Sequence, residues 1–314
     1  MCTAVCFKDN GFYFGRTLDY ETSYGEEIVV LPRNATLDFC YEGKAENNYA
    51  IIGTAHVAGG YPLFYDAANE CGLCMAGLNF VGNAKYNSFR EGVKNAAQYE
   101  FLPWVLRQCS GVSEARRLIE NTNITDKAFN EYLPAAQLHW LIADKDSAIT
   151  VEATESGINI YDNPAGVLAN NPPFPMQMFG LNDYAALSAK QPENTFSPEL
   201  KLDMYSRGMG AIGLPGDWSS KSRFVRAAFV RANSVSDGGE KSSVSRLFHI
   251  LGSVTQVKGC CDVGGSPEYT IYTSCIDADK GVYYYKTYDG LGVSSVDMSK
   301  ENLDGSELLR FQML

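Results

Sequence analysis

Met1-Cys2-Thr3-Ala4-Val5-Cys6-Phe7-Lys8-Asp9-Asn10-Gly11-Phe12-Tyr13-Phe14-Gly15-Arg16-Thr17-Leu18-Asp19 opens the chain, and its pattern predicts a β-hairpin. Thr3 to Phe7 reads as one strand and Lys8-Asp9-Asn10-Gly11 as the turn. Phe12 to Leu18 is the returning strand, with aromatic residues at 12 and 14 on one face. A turn at residues 9 to 11 brings positions 16 to 18 opposite positions 2 to 4, so Cys2 meets a strand end that carries Arg16 and Asp19. Arg16 could favour a nearby thiolate and Asp19 could hold an ammonium, although a surface arginine and a turn aspartate fit the pattern equally well.

Cys2 is the chemically distinctive residue of this hairpin. Methionine aminopeptidase acts when the second residue is small, and cysteine qualifies. Removal of Met1 would leave an α-amine and a thiol on one residue, with ordinary pKa values of about 7.7–8.0 and about 8.5. One group can then take the proton of the other near neutral pH, which makes base and nucleophile a single residue without a histidine. A Met-Cys start by itself is a weak signal.

Working outward, Ile28 to Leu31, Tyr49 to Val57 and Gly72 to Phe80 are predicted strands. The connections Asp19 to Glu27 and Ala58 to Tyr65 are predicted loops rich in aromatics. Phe101 to Cys109 and Ser113 to Asn121 have helical spacing, and Leu138 to Ala143, Ala148 to Ala153 and Gly157 to Tyr161 read as a meander. Asp183 to Ala189, Ser220 to Arg231 and Ser243 to Val254 are predicted helices, followed by a hairpin of Tyr269 to Cys275 and Val282 to Tyr288. Strands thus group at the start, middle and end with two helical blocks between them. That order predicts a layered α+β protein with two antiparallel sheets, and the absence of a linker or repeat predicts one domain over residues 1–314.

The composition narrows the function classes. At 314 residues, 45% hydrophobic and 20% charged, the chain is expected to be an ordered globular protein. A net charge of -11 disfavours nucleic acid and anionic membranes as partners, while leaving room for a local arginine pair to bind a small anion. No apolar run is long enough for a membrane helix, and the first residues are no signal peptide, so a cytoplasmic location is expected. The nine cysteines, odd in number and dispersed, read as reduced thiols.

Other catalytic systems find little support. His139 and His249 lie in apolar runs and are expected to be structural, and His56 lacks an acidic or cysteine partner at ligand-like spacing. A Ser-His-Asp system is not excluded, but the Gly-x-Ser-x-Gly elbow is missing. Cys71-x-x-Cys74 reads as a strand that would point its thiols to opposite faces, and adjacent Cys260 and Cys261 cannot easily share one ion. No metal and no cofactor is expected, and Gly208-Met209-Gly210-Ala211-Ile212-Gly213 lacks the context of a phosphate loop.

Ordered blocks across the chain resemble the choloylglycine hydrolase family, which comprises bile salt hydrolases and penicillin V acylases. They are Met1-Cys2-Thr3-Ala4, Tyr13-Phe14-Gly15-Arg16-Thr17-Leu18-Asp19, Ser23-Tyr24-Gly25-Glu26, Ala76-Gly77-Leu78-Asn79-Phe80 and Leu138-His139-Trp140. Asn163 to Pro172, Gly213-Leu214-Pro215-Gly216-Asp217, Ser222-Arg223-Phe224-Val225-Arg226 and Tyr284-Tyr285-Lys286-Thr287-Tyr288-Asp289 continue the series. The resemblance implies a four-layer αββα sandwich of the N-terminal-nucleophile hydrolase type, cleavage of a linear amide, and a homotetramer. It implies Cys2 as nucleophile, flanked by Arg16 and Asp19, with Asn79 and Asn170 at the oxyanion and Arg223 completing the polar cluster. Asn79 points to glycine- or taurine-conjugated bile salts as the small-molecule substrate, where typical penicillin V acylases have Tyr; penicillin V acylase activity is the alternative. Tyr20, Tyr24 and Phe64 are expected in the steroid pocket. A non-catalytic binding protein on the same scaffold is the alternative of another class. Ala169 departs from the family's usual Thr before the second asparagine, which would remove one hydrogen bond worth about 1 kcal/mol.

Overall fold

A computed structural model describes residues 1–43 and 48–314. The opening hairpin is present as β1 (Cys2–Lys8) and β2 (Phe12–Tyr20), with Cys2 opposite Leu18, Thr3 opposite Thr17 and Ala4 opposite Arg16. Both strands are buried on both faces, so their polar residues Thr3, Arg16, Thr17 and Asp19 are held inside the protein. Four strands follow, β3 (Glu27–Leu31), β4 (Ile51–Ala58), β5 (Tyr61–Asn69) and β6 (Cys74–Asn79). A small parallel pair, β7 (Lys94–Ala97) and β8 (Thr122–Thr125), brackets α1 (Phe101–Gln108) and α2 (Val112–Glu120).

The meander forms β9 (Leu138–Ala143), β10 (Ala148–Thr154) and β11 (Gly157–Asp162), and a short β12 (Val167–Leu168) follows. Three helices come next: α3 (Phe174–Gly180), α4 (Ser220–Asn233) and α5 (Glu240–Gly252). The chain closes with β13 (Cys261–Val263), β14 (Ser266–Asp277), β15 (Val282–Thr287), β16 (Ser294–Asp297) and β17 (Leu309–Gln312).

Two large antiparallel sheets result. The first has the order β12-β1-β2-β14-β15-β16, with β13 added on β14, and the second β11-β10-β9-β6-β5-β4-β3-β17. Helices α4 and α5 cover the outer face of the first sheet and α1 covers the second, giving four layers, αββα. The residue alternation of the second sheet shows why it must be covered twice. Ile28, Val30 and Ile52 belong to the core between the sheets, whereas Val29, Leu31 and Ile51 belong to the core under α1 and α2. Gly15 lets α5 approach β2, since a Cβ there would lie 2.1 Å from Ser274 O and 2.7 Å from Leu247 Cδ2.

Three expectations need correction. Ala58 to Tyr65 is not a loop: Gly59 (φ 57°) and Gly60 (φ 85°) supply a two-residue hairpin turn with positive φ at both positions, and β5 starts at Tyr61. The helix expected at Asp183 to Ala189 lies earlier, as α3 followed by a 3-10 turn over Leu181–Tyr184, because Pro173 and Pro175 fit a helix start. Cys71 to Leu73 form a turn held by Asn69 Oδ1, which accepts from Cys71 N and Leu73 N, so the strand begins only at Cys74. All nine cysteines are unpaired thiols.

The interior between the sheets is not wholly apolar. Asp66 on β5 accepts hydrogen bonds from Tyr272 Oη (2.5 Å), Tyr283 Oη (2.6 Å) and Ser274 Oγ (2.9 Å) on the opposite sheet. Burial pushes this carboxyl above its ordinary range, against the pull of Arg16 and the three hydroxyls. The polar cluster stands beside the sheet end where β1 begins.

Candidate active site

Cys2 is the first residue of β1 and is buried at 3% exposure. Strand alternation sorts its neighbours by face. Leu18 lies directly opposite Cys2, and Arg16 is opposite Ala4, so all three side chains point between the sheets. Thr3, Thr17 and Asp19 point the other way, toward the helices. Cys2 therefore sits between two polar groups that approach from opposite sides of the sheet.

On the sandwich side, Arg16 is fully buried and laced to backbone carbonyls. Its Nη1 donates to Gly77 O (2.7 Å) and Tyr65 O (3.0 Å), and its Nε to Thr17 O (3.2 Å). Nη2 has no protein partner among the described residues, and the side chain lines the cavity described below. Although burial opposes its charge, the Cys2 thiol, Tyr272, Asp66 and Asp19 together hold the guanidinium above its ordinary pKa, so it is a firm cation.

On the helix side, Arg223 projects from the first turns of α4. Its Nη1 donates to Cys2 O (2.5 Å) and Thr3 Oγ1 (2.7 Å), Nη2 to Asn170 Oδ1 (2.6 Å), and Nε to Trp218 O (3.0 Å). Among the described residues no carboxylate touches it, and burial lowers its pKa below the usual arginine value despite the attraction of Asp19, Cys2 and Glu268. The contrast with Arg16 has a plain cause: Arg16 lies among acidic groups, whereas Arg223 is solvated by neutral oxygens.

Asn170 links these parts. Its Oδ1 accepts from Cys2 N (2.9 Å) as well as from Arg223, while its Nδ2 donates to Asn79 O (2.8 Å). Its backbone N–H donates to Ser220 Oγ (2.8 Å), and its carbonyl accepts from Gln177 Nε2 (2.5 Å). One of the two Asn170 Nδ2 hydrogens goes to Asn79 O, and the second has no protein partner among the described residues, so it is available as a donor. Asn79, at the end of β6, lines the cavity, and its side-chain amide has no protein partner among the described residues. Asp19 is fully buried, with Oδ1 accepting from Thr270 Oγ1 (2.6 Å) and Oδ2 from Thr17 Oγ1 (3.1 Å). A register shift between β2 and β14 at Thr270/Tyr272 brings this threonine opposite Asp19.

Met1 precedes Cys2 in the structure, so Cys2 N is an amide and not yet an amine. The Met1 ammonium donates to Asp19 O (2.5 Å) and pairs with Glu268 Oε2 (3.0 Å), a buried carboxylate. Glu268 was not singled out from the sequence, where nothing distinguishes it from an ordinary strand glutamate. It reaches the N-terminus only because β14 pairs with β2.

Cys2 opens onto a cavity of about 350 Å³. Tyr20, Tyr24 and Phe64 all line it, as expected, and a hydrogen bond with Tyr24, followed by burial, pushes the Tyr20 hydroxyl up to about 12. Leu102 of α1, Trp140 of β9 and the loop residues Phe129, Tyr132, Leu133 and Pro134 complete an apolar wall. The sequence reading missed that loop; an aromatic-proline cluster between polar residues was its one visible trace. His56 lies at the cavity beside Tyr24, whereas His139 is buried between Glu152 and Ala169 O. Among the described residues no cluster of three or more His, Cys, Asp or Glu side chains could hold a metal ion. A buried thiol, a committed cation and unpartnered amide donors at the end of an apolar slot suit acyl transfer from an amide with a bulky apolar acyl group.

The sequence profile of the linear amide C–N hydrolases, choloylglycine hydrolase family, matches residues 2–311. A bile salt hydrolase/transferase of Lactiplantibacillus plantarum is 51% identical, over 100% of this chain and 97% of its own. One of Clostridium perfringens is 37% identical over 99% and 97%. The crystal structure of a variant of the Clostridium perfringens conjugated bile acid hydrolase superposes with a TM-score of 0.92 at 36% identity, covering 100% of this chain and 97% of that one. A penicillin V acylase of Agrobacterium tumefaciens shares the fold, with a TM-score of 0.78 at 19% identity over 99% and 91%.

Proposed function

The chain belongs to the choloylglycine hydrolase family of linear amide C–N hydrolases, and from that premise we propose that it hydrolyses the amide of glycine- or taurine-conjugated bile salts through Cys2. The observation that carries the reading is the placement of Cys2 at the end of an aromatic-lined cavity, between Arg16 and the Arg223–Asn170 pair. The steroid lies against Tyr20, Tyr24 and Phe64. Once Met1 is removed, the Cys2 thiolate attacks the amide carbonyl, and its α-ammonium protonates the departing nitrogen. Water then opens the thioester, returning the proton to the amine. Asn79 donates to the oxyanion, and Asn170, held by Arg223, fixes the Cys2 nitrogen and the Asn79 carbonyl. Asp19 supports the ammonium. The curated relatives at 37% identity and above are named for bile salts, whereas the penicillin V acylase resembles this chain in fold alone.

The whole chain acts as one domain, since β17 from the far terminus pairs with β3 near the start. Its assembly is a homotetramer. Support comes from α3 and the stretch after it, where Met176, Phe179, Phe196, Tyr205 and Ile212 are exposed apolar side chains of the kind a subunit interface covers. Its place is the cytoplasm, where nine free thiols persist.

The test compares release of glycine or taurine from conjugated bile salts with release of 6-aminopenicillanic acid from penicillin V. It is joined to N-terminal peptide mass analysis after limited iodoacetamide. Loss of Met1, labelling at Cys2 before the exposed thiols and parallel loss of amidase activity are expected. Far faster penicillin V turnover, retained Met1, or full activity in Cys2→Ala would overturn the reading.

A further inference from the structure

His139 and Glu152 form a buried pair with no direct part in the reaction, yet their contacts converge on both asparagines of the site. His139 on β9 and Glu152 on β10 are each at 0% exposure. His139 Nε2 lies 2.8 Å from Ala169 O, and a carbonyl can only accept, so Nε2 carries a proton. His139 Nδ1 lies 3.1 Å from Glu152 Oε1, which also accepts from Phe174 N at 2.8 Å. The pair therefore grips the chain on both sides of Asn170, at residue 169 and at residue 174. The imidazole face stacks on Phe80, with centroids 4.4 Å apart and planes 5° from parallel. Phe80 follows Asn79 directly, so one ring braces the residues next to both asparagines, which are themselves joined by the Asn170 Nδ2 to Asn79 O bond.

Two features distinguish this arrangement from ordinary core packing. A leucine at 139 would fill the same space without burying a polar ring. Glu152 Oε2 moreover is buried with no hydrogen-bond partner among the described residues, so this carboxylate is not accounted for by a full set of core hydrogen bonds. With Nε2 committed to Ala169 O, the contact of Nδ1 with Glu152 Oε1 holds the opposite edge of the ring and so fixes its orientation.

We propose that His139, oriented by Glu152, is a positioning residue that sets the spacing between Asn79 and Asn170. The proposal rests on the assignment of these asparagines to the site of amide hydrolysis. It names no new reacting group, because neither His139 nor Glu152 lines the cavity around Cys2.

The experiment uses the full-length processed enzyme and the variants Glu152→Gln, His139→Gln, His139→Leu and Asn170→Ala. It measures kcat and KM for a taurine-conjugated bile salt, with rates expressed per alkylatable Cys2. Displacing a positioned donor by about 1 Å lowers rates about 10²-fold, so Glu152→Gln and His139→Leu are expected to lose about that factor in kcat, with KM changed less than about threefold. Iodoacetamide should label Cys2 at the parent rate in both. His139→Gln, whose amide can still donate to Ala169 O, should regain most of the loss seen in His139→Leu. A purely structural pair would lower the melting temperature and leave kcat per labelled Cys2 unchanged, and that result would overturn the proposal. Glu152→Gln keeps the shape of the site and decides the question if His139→Leu does not fold. If Asn170→Ala loses activity while Glu152→Gln keeps it, the positioning role alone fails; if Asn170→Ala keeps full kcat, the site assignment itself fails.

Discussion

Replacing Arg223 by methionine separates what the buried guanidinium does for stability from what it does for the site. The side chain makes four hydrogen bonds of 2.5–3.0 Å to Cys2 O, Thr3 Oγ1, Asn170 Oδ1 and Trp218 O. Bonds to a charged group contribute roughly 1.5–3 kcal/mol each, so the gross loss is large. Against this stands the desolvation of a buried cation, several kcal/mol, in a place where no carboxylate of the described residues touches it. Methionine fills the stem volume and removes that penalty. Asn170 Oδ1 keeps the Cys2 N–H, while Cys2 O, Thr3 Oγ1 and Trp218 O lose this donor; set against the desolvation released, the net destabilisation is about 1–3 kcal/mol. Large domains lose roughly 2–4 °C per kcal/mol, which limits the fall in Tm to about 10 °C.

The site suffers more. Asn170 loses the anchor that holds its amide with Nδ2 toward Asn79 O, and its two ends are nearly the same size, so the amide can turn over. Mis-set donors of this kind lower kcat/KM by roughly 10²–10³. Differential scanning calorimetry and steady-state release of taurine read the two effects separately. An activity within threefold of the parent would refute the reasoning. So would a Tm loss well beyond 15 °C with the folded remainder fully active, since Arg223 would then be a staple of the fold rather than a support of Asn170.

Gly15→Ala should destabilise the protein at the upper end of the roughly 1–3 kcal/mol typical of overpacking, because the new methyl would meet the rigid Ser274 backbone oxygen as well as Leu247; urea unfolding checks this. At the entry to α4 the Asp217 pKa is lowered to about 2, first by the Ser219 hydroxyl and then by hydrogen bonds from Ser222 Oγ (2.6 Å) and Ser219 N (2.9 Å). With the folded value below the ordinary one of about 3.9, its contribution is present above pH ~4 and is lost as pH falls toward 2. Asp217→Asn should therefore flatten the acid limb of the stability curve between those values, as followed by circular dichroism, with little change near neutrality.

The legible part of this protein was local or tied to residue type. The hairpin register could be counted from its turn, which put Arg16 opposite Ala4 and Leu18 opposite Cys2. The apolar periodicity of β9, β10, α1 and α5 located those elements to within a few residues. The double-glycine turn at 59 and 60 was misread as part of a loop, because the aromatics around it resemble a pocket lining as much as a strand. Other pieces left no trace. Glu268 meets the Met1 amine across 267 positions of sequence, and the direction of the Asn170 amide follows from Arg223 on a helix 53 residues later.

Residue order alone raised Cys2 as a candidate nucleophile, and the blocks spread along the chain carried the resemblance to the linear amide hydrolase family that the profile match bears out. It also determined the layered antiparallel architecture, through periods of two and 3.6 that depend only on neighbours along the chain. Tertiary structure decided the polarity of the site: which oxygen each guanidinium meets, which asparagine faces the cavity, and which carboxylate lies beside the amine. Those choices depend on how two sheets and α4 dock, and hydrogen-bond direction over a few tenths of an ångström has no counterpart in a linear pattern.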